Sequence, residues 1–447
     1  MKYIFSSKLK LTSLVLIIIG LIAFGIGVYL NNSIPDAQIN EVLEHSEHLA
    51  GQAMNSTYQS DATHAEHFNH AIDQIHNRPW SAVLISLVLF FGISATALFF
   101  NCIQHAGHAG WSIVVTRVME GIASFIPVGG LALIIFMVLS SYGCGDGGFN
   151  HIYHWMDPSL TDDKSPHFDL MIKSKEPFLN RPMFILRTVI YVLGCTFFLW
   201  RIKSLTRRLD KTKAYSDHRR LYNWSVGFIV FFALASAAWA WDWLMSIDPH
   251  WYSTIYIWYT MISCLVSSIG VMILISLYLK SKGNLPAFNS NHLHDLAKFL
   301  FGFSLLWAYL WFAQFMLYWY ANIAEEVNYF FGRYKLYRPT YFTMLIPNLV
   351  LPFLILVSSK VKRNAGIVAV MACIVILGHL WDFFNIVMPG TVGAFWNVGP
   401  VGLLEIGAFL FFVGLFLYVV MYSISKLDLE PKGNPFYHES EIFEYPF

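Results

Sequence analysis

Two aspartates stand beside tryptophans at the ends of long apolar runs: Asp242, between Trp241 and Trp243, and Asp382, after Trp381. Each is followed seven residues later by a proline, Pro249 and Pro389, so W-D-x6-P occurs twice. His379 precedes Asp382 by three residues, a spacing that sets imidazole and carboxylate on one helical face. An imidazole with an ordinary pKa of about 6.5 suits proton traffic. Arg187 and Glu405 lie in two further apolar runs, and Arg117 and Glu120 share a third at i, i+3. His294, Asp295 and Lys298 open a fourth. An ionisable group at mid-bilayer costs roughly 2.5–3.5 kcal/mol on insertion scales, so each needs a partner, water or a task.

The elements that position these groups follow from composition. The 447 residues are 56% hydrophobic and 13% charged, too little polar surface for a water-soluble domain. Runs at 9–30, 80–101, 112–140, 183–200, 222–246, 251–280, 292–320, 340–359, 365–388 and 398–425 are each long enough to cross the hydrocarbon or nearly so. The expected fold is all-α and integral to the membrane, with ten transmembrane helices. The first run follows Lys2, Lys8 and Lys10 like a signal peptide, but its apolar part is too long and lacks a small-residue cleavage site, so a retained helix is expected. Lys and Arg concentrate in alternate connections, eight of them between Arg201 and Arg220. By the positive-inside rule this places both termini in the cytoplasm.

W-D-x6-P closes the fifth and ninth spans, and Arg-Pro opens the fourth and eighth at Arg181-Pro182 and Arg338-Pro339. A shared offset of four helices with preserved direction predicts a duplicated unit: four-helix bundles of helices 2–5 and 6–9, flanked by helices 1 and 10. Arg78-Pro79 reads as a further helix start. The expected segments are 1–30 (N-terminus and first span), 31–79 (a periplasmic, His-rich loop), 80–246 (first bundle, with a loop at 141–182), 247–388 (second bundle), 389–425 (tenth span) and 426–447 (cytoplasmic tail).

By depth the charges form two layers. Arg117 and Glu120 form an inner relay, with His294, Asp295 and Lys298 as an inner entrance. Asp242, His379, Asp382 and Glu405 form an outer relay, with Arg187 as counter-charge. About 15 Å of mostly apolar helix separates them. Pro127-Val128-Gly129-Gly130, Pro347 and Pro352 would free carbonyls for water between them. The expectation is that titratable side chains from separate spans converge in two wet pockets, one towards each face. Each group alone also has a structural reading: Arg117 and Glu120 can neutralise each other, and an aspartate can accept from a tryptophan N–H.

Other features carry less. His45, His48, His64, His67, His70 and His76 have helical spacing, but with Glu41, Glu44, Glu47 and Glu66 they read as an amphipathic surface helix. Cys102, Cys144, Cys195, Cys264 and Cys373 form no C-x-x-C or haem-attachment pattern, and no metal site is expected. Cys144-Gly-Asp-Gly-Gly lacks a phosphate-loop lysine and reads as a turn. A net charge of +1 points to no nucleic-acid partner.

The runs W-D-W-L-M-S-I-D-P-H-W-Y-S-T (241–254), H-D-L-A-K (294–298), W-A-Y-L-W-F-A-Q (307–314) and W-Y-A-N-I-A-E-E (319–326) resemble the NrfD-like, polysulfide-reductase-type membrane subunits of bacterial alternative complex III. The resemblance implies ten helices in two four-helix bundles and a place in a quinol:cytochrome c (electron acceptor) oxidoreductase of a respiratory chain in the bacterial inner membrane. It implies a sister NrfD-like subunit, an iron–sulfur/molybdopterin-like subunit and haem c subunits as partners, with a terminal oxidase as a further one. Haem c and iron–sulfur clusters then belong to those partners. No cofactor is expected on this chain, and a quinol such as menaquinol is the small-molecule candidate. The polar layers are carried over as proton half-channels. Two alternatives remain open from the residues: a secondary transporter, since parallel repeats with buried charges suit carriers, and a purely structural membrane anchor.

Overall fold

The computed structural model describes residues 3–51, 64–143, 150–166, 168–399 and 402–444. The turn at 144–148 and the side chains of His45, His48, His64 and His67 lie outside the described residues. Among those described, ten helical segments are long and apolar enough to cross a membrane, and no β-strand occurs. They are α1 (Ser7–Asn31), α2 (His64–Ala106), α3 (Gly110–Tyr142), α4 (Arg181–Thr212), α5 (Tyr215–Ile247), α6 (Ile255–Ser281), α7 (Ser290–Ala321), α8 (Arg338–Leu356), α9 (Ala365–Thr391) and α10 (Leu403–Ser425).

The helices outrun their apolar cores. α4 and α5 continue past the bilayer-length runs as a basic hairpin, because Arg, Lys and Leu keep a helix going where hydropathy stops. Lys213, at φ +52°, turns the chain, and Asp217 ties the turn by accepting from Arg208 (3.0 Å) and Thr212 (2.8 Å). Arg78-Pro79, expected as a helix start, is interior to α2. Proline supplies no N–H to the carbonyl one turn back. The Asn31 amide of α1 donates to that Ile75 carbonyl at 3.0 Å instead, which lets the helix run on. The segment 31–79, expected as a loop, holds a helix at Asp36–Gly51 and the first part of α2.

Two spans are interrupted. α3 begins as a 3-10 turn, Gly110–Val115, and breaks again between Ala123 and Ile126, where Pro127 opens the next helical piece. α8 contains a π-helical turn, Ile346–Val350, at Pro347. The Asn348 amide beside it donates to the Gly378 carbonyl of α9 at 2.9 Å.

Helices α2 to α5 form one ring of neighbours and α6 to α9 a second. The rings meet through α2 against α6, flanked by α5 against α6 and α9 against α2. Exchanging the two rings maps each of these contacts onto another, as a duplicated unit requires. α2 and α6 are the most enclosed spans. α10 lies on α2 and α3, and α1 lies chiefly on α10. The tail folds back over the end of the bundle that carries Arg201–Arg220, called here the basic end. Ser440 donates to the Trp111 carbonyl (2.8 Å), and the Asn289 amide donates to Phe443 (2.8 Å).

The α1–α10 pair is antiparallel, and small residues let its backbones come close. Ser13, Gly20 and Gly27 recur every seven residues on α1, as do Gly407 and Gly414 on α10. A Cβ at Gly407 would stand 2.6 Å from the Phe24 backbone nitrogen, and one at Gly414 2.6 Å from the Ser13 carbonyl. Small residues let backbones approach where lipid offers no hydrophobic drive. Gly407→Leu is therefore expected to cost about 1–3 kcal/mol or to detach α1. Gly25→Leu, where a Cβ meets nothing within 4 Å, should be neutral. Thermal unfolding in detergent with limited proteolysis of α1 checks this, and equal behaviour of the two variants contradicts it.

Candidate functional site

Among the described residues, the buried carboxylates singled out from sequence lie in separate networks that differ in how charge is balanced. In the first ring, α4 and α5 pack side by side, so Arg187 reaches Asp242. The guanidinium donates twice, Nε to Oδ2 at 2.7 Å and Nη2 to Oδ1 at 2.8 Å. It also donates to the Phe178 carbonyl and lies 4.0 Å over the Phe178 ring. This fork geometry is the strongest form of ion pair, and Asp242 is buried within it. A cavity of about 420 Å³ lies alongside, between Phe178, Trp241 and Tyr252.

Asp382, the duplicate of Asp242, is held differently. Three donors converge on it: the Tyr259 hydroxyl, the Ser263 hydroxyl at 2.7 Å and the Trp307 indole N–H at 3.0 Å. His379 Nδ1 stands 3.7 Å away, and neither ring nitrogen of this fully buried imidazole has a hydrogen-bond partner among the described residues. No arginine or lysine among them bonds to Asp382. The reason lies in the repeat. Six residues beyond each Arg-Pro stand Arg187 in α4 and Met344 in α8, so the second ring carries the aspartate without its guanidinium. Met344 and Arg333 line a small cavity beside Asp382 with Tyr329 and Asn385. Arg333 is spent elsewhere, donating to the Asn385 (3.2 Å) and Ile386 (3.1 Å) carbonyls and standing 3.5 Å from Asp248.

Glu405 pairs with Arg78 of α2 at 3.0 Å, and Arg78 donates also to the Val398 carbonyl. Proximity to the tenth span's start thus binds α10 to α2. The outer layer expected to converge in one wet pocket is instead three separate networks: Arg187–Asp242, the group around Asp382, and Arg78–Glu405. The correction has a physical cause. Each carboxylate faces the inside of its own ring or its own helix pair, and the packed α2–α6 contact lies between the rings.

Near the basic end, Arg117 serves two carboxylates. It donates to Glu120 at 2.7 Å, to Thr206 at 3.0 Å and to Asp210 of α4. Glu120 is fully buried and its Oε1 has no partner among the described residues, as is true of His105 Nε2 and both amide atoms of Asn101. Asn101 and His105 share a face of α2 one turn apart. Arg117 is the one cation hydrogen-bonded to the two carboxylates among the described residues, and Asp210, 23% exposed, connects the network to the basic end. Lys203 is close by but donates to Ser124 (2.7 Å) and Ser423 (3.2 Å), joining α4 to α3 and α10.

The expected inner entrance lies apart from this network. His294 and Asp295, 3.3 Å from each other, and the exposed Lys298 stand at the start of α7. Asp295 and Lys298 border a groove of about 440 Å³ between α7 and Trp111. Arg78, Asp210, Tyr259 and Arg333 were not singled out from sequence. Asp210 carried a signal, an acid isolated in a basic run, whereas the others gain meaning only through partners far along the chain. Among the described residues, no group of three His, Cys, Asp or Glu side chains is placed to hold a metal ion.

The arginine fork on Asp242 makes a direct prediction. Arg187→Met strands a buried carboxylate and is expected to destabilise the protein by about 3 kcal/mol, most of it recovered in Arg187→Met/Asp242→Leu. Unfolding in detergent reads both variants, and an equal loss in the two contradicts the pairing.

No protein-family model matches the chain, and no curated protein matches it.

Proposed function

We propose that the chain is an integral subunit of a quinol:electron-acceptor oxidoreductase of the alternative complex III type, in a bacterial inner membrane with its basic end cytoplasmic. In this reading it holds partner subunits that carry haem c and iron–sulfur centres, and it moves protons through two of its buried networks. The resemblance over 241–326 suggests the complex, and the observation that carries the proton role is the pair of buried carboxylates that have no arginine of their own. Glu120 shares Arg117 with Asp210, and among the described residues Asp382 is bonded only by neutral donors.

Oxidation of a quinol releases its hydroxyl protons together with its electrons, so a partner that oxidises quinol needs an exit for them. A carboxylate without a dedicated cation can take up and release a proton as its surroundings change, whereas one locked in an arginine fork cannot without breaking the pair. Glu120 with His105 forms the relay towards the basic end, and Asp382 with His379 the relay towards the other. Orphaned polar atoms at both places call for ordered water, the medium through which such relays pass protons. Arg187–Asp242 and Arg78–Glu405 are assigned to holding helices together, which is the anchor reading confined to those two pairs.

Two measurements test this. Mild purification of the full-length chain from its native membrane should bring haem c and iron–sulfur subunits with it, and a chain that purifies alone contradicts the complex. In the assembled complex, Glu120→Gln and Asp382→Asn should lower coupled proton release on the order of a hundredfold with assembly intact. Wild-type coupling in both variants contradicts the relay.

A further inference from the structure

The Arg117 network has two sides, and they differ as routes for a proton. Towards Asp210 the way is closed by the guanidinium itself, which donates to Glu120 through Nη1 and to Asp210 through Nη2. Arginine keeps its charge at any physiological pH, so it neither takes a proton from Glu120 nor hands one on. The other oxygen of Glu120, Oε1, has no partner among the described residues. His105, buried on the last turn of α2 with its Nε2 likewise unpartnered among them, stands within electrostatic reach of this carboxylate.

Three residues beyond His105 the chain turns at His108, whose φ of +49° lies in the left-handed region. Glycine adopts that conformation without strain, yet a histidine occupies it. The turn sets the exposed His108 imidazole over two residues of α5: His218 at 5.6 Å and 20°, and Tyr222 at 5.2 Å and 8°. His218 is buried, and both it and His108 lie within electrostatic reach of His105. Phe436 of the tail covers the pair, 5.6 Å from the His218 ring and 5.9 Å from that of His108. Three imidazoles thus run from the buried network to the surface of the basic end. We propose that His105, His218 and His108 form a file that carries protons between Glu120 and the water at that end. Each imidazole takes a proton on one ring nitrogen and releases one from the other, and so returns to neutral. Stacked rings do not aim their N–H groups at each other, so a water bridges the step between His218 and His108. The file rests on the relay reading of Glu120 and supplies its route.

Time-resolved infrared spectroscopy of the full-length protein in lipid nanodiscs, after photorelease of a caged proton, tests the file. The wild type is expected to show a carboxyl band that Glu120→Gln removes, and the rise of that band reports how fast the proton arrives. His108→Gly, which suits the left-handed turn, and His218→Gln should each slow the rise roughly a hundredfold without moving the band. Added imidazole, which fits the space vacated in His108→Gly, should restore the rate there. A wild-type rate in either folded variant overturns the file, and so does a slowed rate in His108→Gly that imidazole leaves unchanged. A wild type without the Glu120 band overturns the relay reading itself, and the file falls with it.

Discussion

Removing a carboxylate from water costs more than its own hydrogen bonds return unless a cation, several donors or a proton takes the place of the solvent. The interior of this chain is arranged around that constraint. Asp242 and Glu405 meet it with arginines from neighbouring spans, and these pairs fix α4 to α5 and α2 to α10. Asp382 meets it with a hydroxyl, a phenol and an indole, and Glu120 with half a share of Arg117. The first solution sets charge against charge. The second relies on neutral donors or a shared cation.

The repeated architecture sets the two side by side. The two rings repeat their helix contacts, their Arg-Pro starts and their Trp-Asp ends, yet Met344 occupies the place that Arg187 has in the first ring. Without a guanidinium, the second ring closes on its aspartate with Tyr259 and Ser263 of α6 and Trp307 of α7. His379, one turn before Asp382 and without a bond at either nitrogen, extends that group. The same fold thus carries an arginine-paired carboxylate in one ring and one held by neutral donors in the other. α3 is interrupted one turn beyond Glu120, and the π-helical turn of α8 holds Asn348, which donates to the carbonyl of Gly378 next to His379.

The sequence was most informative where a property is local. Ten apolar runs correspond to ten spans in the same order, because twenty apolar residues leave few alternatives to a spanning helix. Arg117 with Glu120 was legible from i, i+3 spacing, and the repeat from two short motifs at one offset. Helix ends were less legible: α2 passes through Pro79 because Asn31 repairs the broken bond, and α4 and α5 continue where charge begins. Arg78 with Glu405 and Tyr259 with Asp382 are partners separated by hundreds and over a hundred residues respectively, and no spacing rule reaches that far. For the same reason depth alone merged three networks into one layer. Equal depth says nothing about which way a side chain faces around its helix.

The claim that the two aspartates differ in kind is open to direct spectroscopy. Infrared difference spectra of the full-length protein in lipid nanodiscs, recorded on a pH step, report the carbonyl stretch of any carboxyl group that gains or loses a proton. The account predicts a carboxyl band that disappears in Asp382→Asn and persists in Arg187→Met/Asp242→Leu. A band that persists in Asp382→Asn and vanishes with the Asp242 pair would contradict it.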